Sequence, residues 1–152
     1  MYLLKGKNIV ITGASSGIGK ALSIEASKCG ANLVLASRQI DQLEAIKSEI
    51  SNPVSTIFCI QTDVTSQKEC ENLIHLAKQK LGSIDVLINN AGISMRAAFD
   101  EVETRVLEEI MNVNFWGTVY CTKAAISSLL ESKGSLVAVS SVTGFKGLPG
   151  RT

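Results

Sequence analysis

The chain has 152 residues, 45% of them hydrophobic, and its fifteen basic and fourteen acidic residues leave a formal net charge of +1. This length and apolar content suffice for one buried core, so we predict a single domain over residues 1–152. The near-neutral charge, without a basic stripe, argues against nucleic acid or an anionic membrane as a partner.

Short β-branched runs alternate with longer segments of helical periodicity along the chain. Strands are predicted at 8–12, 32–36, 55–61, 84–89 and 135–140, and helices at Ile18–Cys29, Asp41–Ile50, Ser66–Lys80 and Glu101–Glu131. Continuously apolar strands separated by helices require right-handed crossovers. The sheet should therefore be parallel and covered by helices on both faces.

The stretch TGASSGIGKAL, Thr12–Leu22, follows the first predicted strand and opens the first predicted helix. Glycines at Gly13, Gly17 and Gly19 would weaken the interior of either element, so bare backbone is needed there for another reason. In an α/β sheet this turn is where phosphates bind at a helix N-terminus. We therefore predict an α/β, doubly wound, Rossmann-like sheet of strand order 3-2-1-4-5; the alternative for the turn alone is a tight connection without a ligand.

Five segments occur in the order and approximate spacing of the short-chain dehydrogenase/reductase family. They are TGASSGIG at 12–19, Asp63 after the third strand, NNAG at 89–92, NVNFWG at 112–117 and GSLVAVSS at 134–141. The chain thus resembles this family over essentially its whole length. The resemblance implies an oxidoreductase that transfers a hydride between a nicotinamide cofactor and a carbonyl or alcohol substrate. It also implies that the fold is C-terminally incomplete, as an N-terminal portion of a longer enzyme.

The resemblance assigns cofactor contacts to individual residues. Those for the pyrophosphate fall on Gly13, Ser15, Ser16, Gly17, Ile18 and Gly19, those for the adenine on Asp63 and Val64, and support of the sheet beside the cofactor on Asn90, Ala91 and Gly92. Two of these positions have simpler explanations from the residues alone. Asp63 could cap the helix that starts near Ser66, and Asn89 and Asn90 could merely close a turn.

Two catalytic positions are also implied by the resemblance. Asn114 matches an asparagine that holds a water in a proton relay, and Ser141, rather than Ser140, matches the serine that orients the substrate. Asn114 stands out independently, because an asparagine among the apolar positions of a helix costs helix propensity and needs polar partners if it is buried.

The end of the second strand bears on the choice of cofactor. An acidic residue there would accept the ribose hydroxyls of NAD, whereas this chain has Ser37 and Arg38. A guanidinium presents a fork of donors that matches phosphate oxygens, so we expect NADP(H). The alternative is a solvated arginine at a strand end.

The proton-donating Tyr-x-x-x-Lys of the family should follow about a dozen residues after Ser141, with both side chains on one helix face. The chain has only Tyr2 and Tyr120, and neither matches that motif. We expect the 152 residues alone to bind NADPH weakly, to associate through exposed apolar surface and to show no turnover. The complete protein should form a homo-oligomer through the 101–131 helix. The alternatives are a nucleotide-binding or interaction module without turnover and, more remotely, a P-loop-like phosphoryl-transfer protein, which the glycine spacing opposes.

The cysteines indicate the compartment. Cys29, Cys59, Cys70 and Cys121 form no CxxC pair and lie in apolar segments, so we expect buried, reduced thiols, no disulfide and no bound metal. No apolar run reaches the length of a membrane span, and MYLL is too short for a signal-peptide core. We expect a cytoplasmic protein. The substrate is not identified; Ser94, Met95 and Arg96 are candidates for the mouth of its pocket.

Overall fold

A computed structural model describes residues 3–50, 54–144, 146 and 147. Five strands form one sheet in the order β3-β2-β1-β4-β5, and every neighbouring pair is parallel. The strands are β1 (Asn8–Thr12), β2 (Asn32–Ser37), β3 (Ile57–Gln61), β4 (Val86–Asn89) and β5 (Ser135–Ala138). The predicted α/β fold and its strand order are confirmed. The third and fourth strands begin two residues later than predicted, and the fifth ends two residues earlier.

Helices cover both faces of this sheet. They are α1 (Gly17–Lys28), α2 (Ile40–Glu49), α3 (Gln67–Leu81), α4 (Thr104–Met111) and α5 (Gly117–Ser132). Because side chains alternate along a strand, β1 contributes Ile9 and Ile11 to a core with α1 and α2, and Val10 to a second core with α3 and α5. The central strand is therefore buried on both faces, which explains its apolar run at 9–11.

The single helix predicted over Glu101–Glu131 is wrong in its form. The helix begins only at Thr104, and between α4 and α5 the backbone forms a π-helical turn over Asn112–Trp116. A π-turn adds a residue to one helical turn and so rotates the side chains that follow it. The helical backbone is otherwise continuous from Thr104 to Ser132, and periodicity over a long segment does not reveal one inserted residue.

At the amino ends of the strands, Asp85 joins three of them. Its carboxylate accepts hydrogen bonds from the Asn8 backbone N–H and the Lys7 ammonium, each at 2.9 Å. Its backbone also bonds Asn8 and Ser135, the residues that open β1 and β5. Burial raises the pKa of Asp85, but these two donors outweigh it and hold the pKa below its ordinary value. These contacts fix the relative positions of the three strands at their amino ends, opposite to the loops that follow the strands.

The described sheet has β3 at one edge and β5 at the other, and the four residues of β5 are all exposed. Leu136 and Val137 keep 47% and 41% of their accessible surface, although they lie in a strand. Across the residues that the structure describes, none of the helices combines enough length and hydropathy to cross a membrane.

Candidate functional site

A cleft of about 820 Å³ lies at the carboxyl ends of the strands. It is bounded by the loops that follow all five strands, on both sides of the boundary between β1 and β4. In an open α/β sheet this boundary is where consecutive crossovers turn to opposite sides, and the loops separate there to leave a crevice. The topology alone therefore places a binding site at this position.

Thr12 and Asn90 link the loops on the two sides of the boundary. The Thr12 hydroxyl accepts hydrogen bonds from the backbone N–H groups of Asn90 and Ala91, both at 3.1 Å. In return, the Asn90 side-chain amide donates to the carbonyl oxygens of Thr12 and Gly13 at 3.0 and 3.1 Å. Asn90 therefore connects two strands rather than closing its own turn, while the neighbouring Asn89 bonds Thr122 of α5.

The three glycines of the first loop are needed for different reasons. Gly13 has a φ of +63°, and a Cβ there would lie 2.7 Å from the Ala91 Cα. A Cβ on Gly19 would lie 2.2 Å from the Gly13 carbonyl oxygen, so α1 can approach the loop only without a side chain. Gly17 has a φ of +52° but open space around its missing Cβ. Two glycines thus serve the packing of the protein itself, and the third leaves room in the cleft.

The start of α1 presents backbone N–H donors to the open space at Gly17. Ser16 is the N-cap, yet its side chain makes no capping hydrogen bond, and Ile18 is 61% exposed. The first intrahelical bond described here is from Lys20 N–H to the Ser16 carbonyl. The amides of the first helical turn, beginning at Gly17, have no intrahelical acceptor and carry the positive end of the helix dipole. An anion in the cleft would be stabilised by them.

After β3, Asp63 accepts hydrogen bonds from the backbone and hydroxyl of Thr65 at 3.0 and 2.9 Å. The helix cap is Ser66 instead, whose hydroxyl accepts from Glu69 N–H. The interpretation of Asp63 as the cap of α3 is therefore wrong. Its local turn holds the half-buried carboxylate at the rim of the cleft, beside the buried Val64.

After β2, Ser37 is buried and Arg38 is exposed at the edge of the cleft. The Ser37 hydroxyl accepts a hydrogen bond from Gln39 N–H at 3.1 Å, which shapes the turn into α2. Gln61 donates to the Arg38 carbonyl at 3.2 Å and fixes the backbone at that point. Within the described part of the chain, the Arg38 guanidinium forms no ion pair.

At the other end of the cleft, Asn114 lies in the π-helical turn and faces the loop after β4. Its side-chain oxygen accepts from Ile93 N–H at 2.8 Å, and its nitrogen donates to the Ile93 carbonyl at 2.9 Å. The Asn114 side chain thus accepts one hydrogen bond from the Ile93 backbone and donates another to it. These bonds satisfy its amide group, although the helix is irregular at this point. Ser141 lies across the cleft, and its hydroxyl accepts from Thr143 at 2.9 Å.

All of the residues predicted for cofactor binding or catalysis, except Gly19, line this one cleft. Gly19 is buried behind it and acts through packing. Ser94 also lines the cleft, whereas Met95 and Arg96 are not among the lining residues. The remaining lining residues have no recognisable signal in the sequence: Gln39, Thr62, Ile93, Val113, Val139, Thr143 and Gly144. They follow strands or neighbour predicted residues, so only the known topology identifies them.

A second, smaller groove of about 430 Å³ lies between α3 and α5 and is lined partly by His75 and Lys78. Among the residues described, no group of three or more His, Cys, Asp or Glu side chains is arranged to hold a metal ion. All four cysteines are free, but only Cys70 and Cys121 are buried; Cys29 and Cys59 are partly exposed, contrary to the expectation that all four are buried.

Comparison with known proteins identifies a family. The family model described as short chain dehydrogenase matches residues 7–152. The chain is 40% identical to the 3-ketodihydrosphingosine reductase of Bos taurus over 98% of its own length and 47% of that protein. It is 36% identical to the 11-beta-hydroxysteroid dehydrogenase-like 4A of Arabidopsis thaliana, with 96% of this chain and 50% of that protein covered. The chain thus spans about half the length of the curated relatives it matches.

A solved structure shares the fold closely. It is an alcohol dehydrogenase from the archaeon Thermococcus sibiricus complexed with 5-hydroxy-NADP, with a TM-score of 0.92 and 29% sequence identity. The match covers 95% of this chain and 62% of the archaeal chain.

The glycines provide a test of the loop geometry. Gly19→Ala should lower the free energy of unfolding by about 2–3 kcal/mol, because its methyl group would overlap the Gly13 carbonyl. Gly17→Ala should lower the free energy of unfolding by about 1–2 kcal/mol, because only the strain of a left-handed conformation is added there. Urea unfolding of both variants measures the difference. Equal losses, or a larger loss for Gly17→Ala, would contradict this account of the turn.

Proposed function

The chain belongs to the short-chain dehydrogenase family, and on that premise we propose that it is the cofactor-binding part of an NADP(H)-dependent carbonyl reductase. The main support for this proposal is that one cleft contains the open space at Gly17, the start of α1, and the side chains of Arg38, Asn114 and Ser141. An extended dinucleotide needs a site of this kind, with phosphate donors in the middle and separate polar groups at each end. We further propose that residues 1–152 form one domain.

The residues present fit the middle of such a cofactor. The pyrophosphate would rest over Gly13 and Gly17, against the backbone amides at the start of α1. Ser15, Ser16 and Ile18 would surround it on the same loop. A Cβ at Gly17 would project into open space, which favours a ligand rather than protein packing as the reason for this glycine.

The adenosine end would lie between the loops after β2 and β3. Val64 offers a buried apolar surface for the adenine, and Asp63 lies beside it as an acceptor. The Arg38 guanidinium is exposed and without an ion pair among the described residues, so a 2′-phosphate would neutralise a charge that otherwise faces solvent. A carboxylate in place of Ser37 or Arg38 would instead repel that phosphate, so NADP is favoured over NAD.

The nicotinamide end would lie near Ala91, Gly92 and Asn114. When bound, the cofactor would supply or accept the hydride, and the protein would supply orientation and proton transfer. The Ser141 hydroxyl accepts from Thr143 and keeps its own hydrogen free, so it would donate a hydrogen bond to the substrate oxygen. Asn114 fixes the position of the Ile93 carbonyl by a hydrogen bond. A water bound to that carbonyl would form part of a proton-transfer path.

We propose that the proton donor lies outside the described cleft residues. Among the described residues the only tyrosine is Tyr120, whose ring stacks on Trp116 at 5.8 Å and does not line the cleft. The complete reductase would act on a ketone of a large apolar molecule, with 3-ketodihydrosphingosine as the first candidate because the mammalian relatives carry that name. A homo-oligomer through the α4–α5 segment and a cytoplasmic location, which free thiols favour, belong to the same proposal.

The phosphate assignment is tested by removing the arginine. Arg38→Ala should weaken NADPH binding about tenfold to a hundredfold, the loss of a charge-assisted contact, and leave NADH binding unchanged. Arg105→Ala is the matched control, since Arg105 is exposed in α4 and pairs with Glu103 away from the cleft. Titration of nucleotide fluorescence measures both affinities. An unchanged preference for NADPH in Arg38→Ala would show that another group binds the phosphate.

The reductase assignment is tested on the enzyme that contains this chain. NADPH oxidation should depend on 3-ketodihydrosphingosine, and Ser141→Ala should lower kcat/KM about a hundredfold, as expected for loss of one donor to the reacting oxygen. Ser140→Ala, at the neighbouring cleft position, serves as the control and should have little effect. Nucleotide binding without oxidation by any ketone would favour a binding module instead. Equal effects of the two serine variants would contradict the assigned role of Ser141.

A further inference from the structure

A side chain in the first turn of α3 holds the cleft loop that precedes the helix. Ser66 is the N-cap of α3 and Glu69 is its third residue, a pairing that usually forms a capping box. In a capping box the glutamate carboxylate accepts from the N–H of the N-cap residue itself. Here the Ser66 N–H donates to the Asp63 carbonyl at 3.1 Å, and the Glu69 carboxylate accepts from the Asp63 N–H at 2.8 Å. Glu69 therefore reaches beyond its helix to a residue that lines the cleft.

Two polar groups of this loop have no protein partner. Asp63 Oδ1 accepts from the backbone and the hydroxyl of Thr65, which leaves Oδ2 without a donor among the described residues. The Val64 N–H likewise has no acceptor in the part of the chain that the structure describes. Both residues line the cleft. An unpaired acceptor and an unpaired donor thus occur on consecutive residues of the cleft.

This pair of groups matches one edge of adenine. The amino group at C6 of adenine donates a hydrogen bond, and the neighbouring N1 accepts one. Hypoxanthine carries an oxygen at C6 and a proton on N1, so both groups are reversed. A carboxylate oxygen beside a backbone N–H would therefore bind adenine and oppose hypoxanthine. This step rests on the proposed function, which assigns the adenosine end of the cofactor to these two loops.

The other attachments of the loop to helices hold Val64 rather than Asp63. The Cys70 thiol donates to the Val64 carbonyl at 3.4 Å. Gly117 of α5 lies against the Val64 side chain, since a Cβ there would be 2.8 Å from Val64 Cγ2. Among the described hydrogen bonds of Asp63, the bond to Glu69 is the one made to a side chain within α3. The position of Asp63 relative to the helix therefore depends on Glu69.

We propose that Glu69 is a positioning residue for recognition of the adenine base. Its carboxylate is a charged acceptor, which forms a stronger hydrogen bond with a backbone N–H than a neutral oxygen does. This bond fixes the Asp63 backbone and, with it, the placement of the Asp63 carboxylate next to the Val64 N–H. Glu69 is exposed and is not among the residues that line the cleft, so it acts on the base only through Asp63.

The test compares NADPH with deamino-NADPH, its hypoxanthine analogue, on the enzyme that contains this chain. The unaltered enzyme should bind NADPH about tenfold or more tightly than the analogue, as titration of nucleotide fluorescence measures. Glu69→Ala should lower this ratio about fivefold to tenfold, because Asp63 is no longer held. Amide hydrogen exchange at Asp63 should accelerate by a similar factor in the absence of nucleotide. Glu69→Gln keeps an acceptor oxygen at the same distance from the backbone and should retain most of the ratio and of the protection.

Two control variants separate this role from helix stability. Glu71→Ala removes the same charge from an exposed position of α3, but Glu71 bonds Gln67 and not the loop. Ser66→Ala removes the helix cap and leaves the Glu69 carboxylate in the chain. Both variants should keep the NADPH to deamino-NADPH ratio within about twofold of the unaltered enzyme, since a lost cap weakens the helix without removing the acceptor of Asp63.

Equal weakening of both nucleotides by Glu69→Ala would overturn the proposal, because loss of helix stability alone has that effect. A ratio that falls as far in Ser66→Ala, or an unaltered enzyme that binds both nucleotides equally, would overturn it as well, while NADPH binding itself would leave the proposed function standing. If the unaltered enzyme binds neither nucleotide, the proposed function fails and base recognition fails with it. Exchange at Asp63 then still decides whether Glu69 holds the loop.

Discussion

The hydroxyl of Thr12 is the contact on which the geometry of the cleft depends. It is 1% exposed at the end of β1 and accepts two backbone N–H groups from the loop after β4. Parallel strands bond each other along their length, but their loops diverge at the switch point and have no ladder to hold them. A buried backbone donor without a partner costs about 1–3 kcal/mol, so this hydroxyl and the reciprocal Asn90 amide fix the separation of the two loops.

The loop held by this contact determines the structure of the cleft on both of its sides. Toward the start of α1, the Ala91 backbone leaves space only for a hydrogen atom at Gly13, and the Gly13 carbonyl and the Asn90 amide do the same at Gly19, so α1 begins close to β1. Toward β5, the same loop continues to Ile93, whose backbone is held on both sides by Asn114. Residues 90–93 therefore connect the start of α1, in the middle of the cleft, with the end that carries Asn114. The π-helical turn brings Asn114 to this loop, where it makes two hydrogen bonds to the Ile93 backbone.

The sequence predicted what depends on pattern, and missed what depends on three-dimensional fit. Alternation of apolar strands and helices, together with the phosphate-type turn after the first strand, indicated the parallel sheet and its order, because few connections satisfy right-handed crossovers. The glycine turn was recognisable, but the reason for each glycine was not, since Gly13 is required by the backbone of the distant Ala91. The π-turn at Asn112–Trp116 had no signature in the periodicity. The sequence does not distinguish a helix cap from an Asx turn at Asp63, because both use the same residue types. The hydrogen bonds to Thr65 identify the Asx turn.

The central claim is that the loop held by Thr12 and Asn90 presents the start of α1 to the phosphates of a dinucleotide. Backbone amide NMR shifts of the chain during titration with NADPH test it most directly, because they report position rather than affinity alone. The account predicts the largest shifts at residues 17–19, with further shifts at 37–39 and 62–64. Shifts concentrated in the groove between α3 and α5, at 71–79 and 124–128, with none at 17–19, would contradict it.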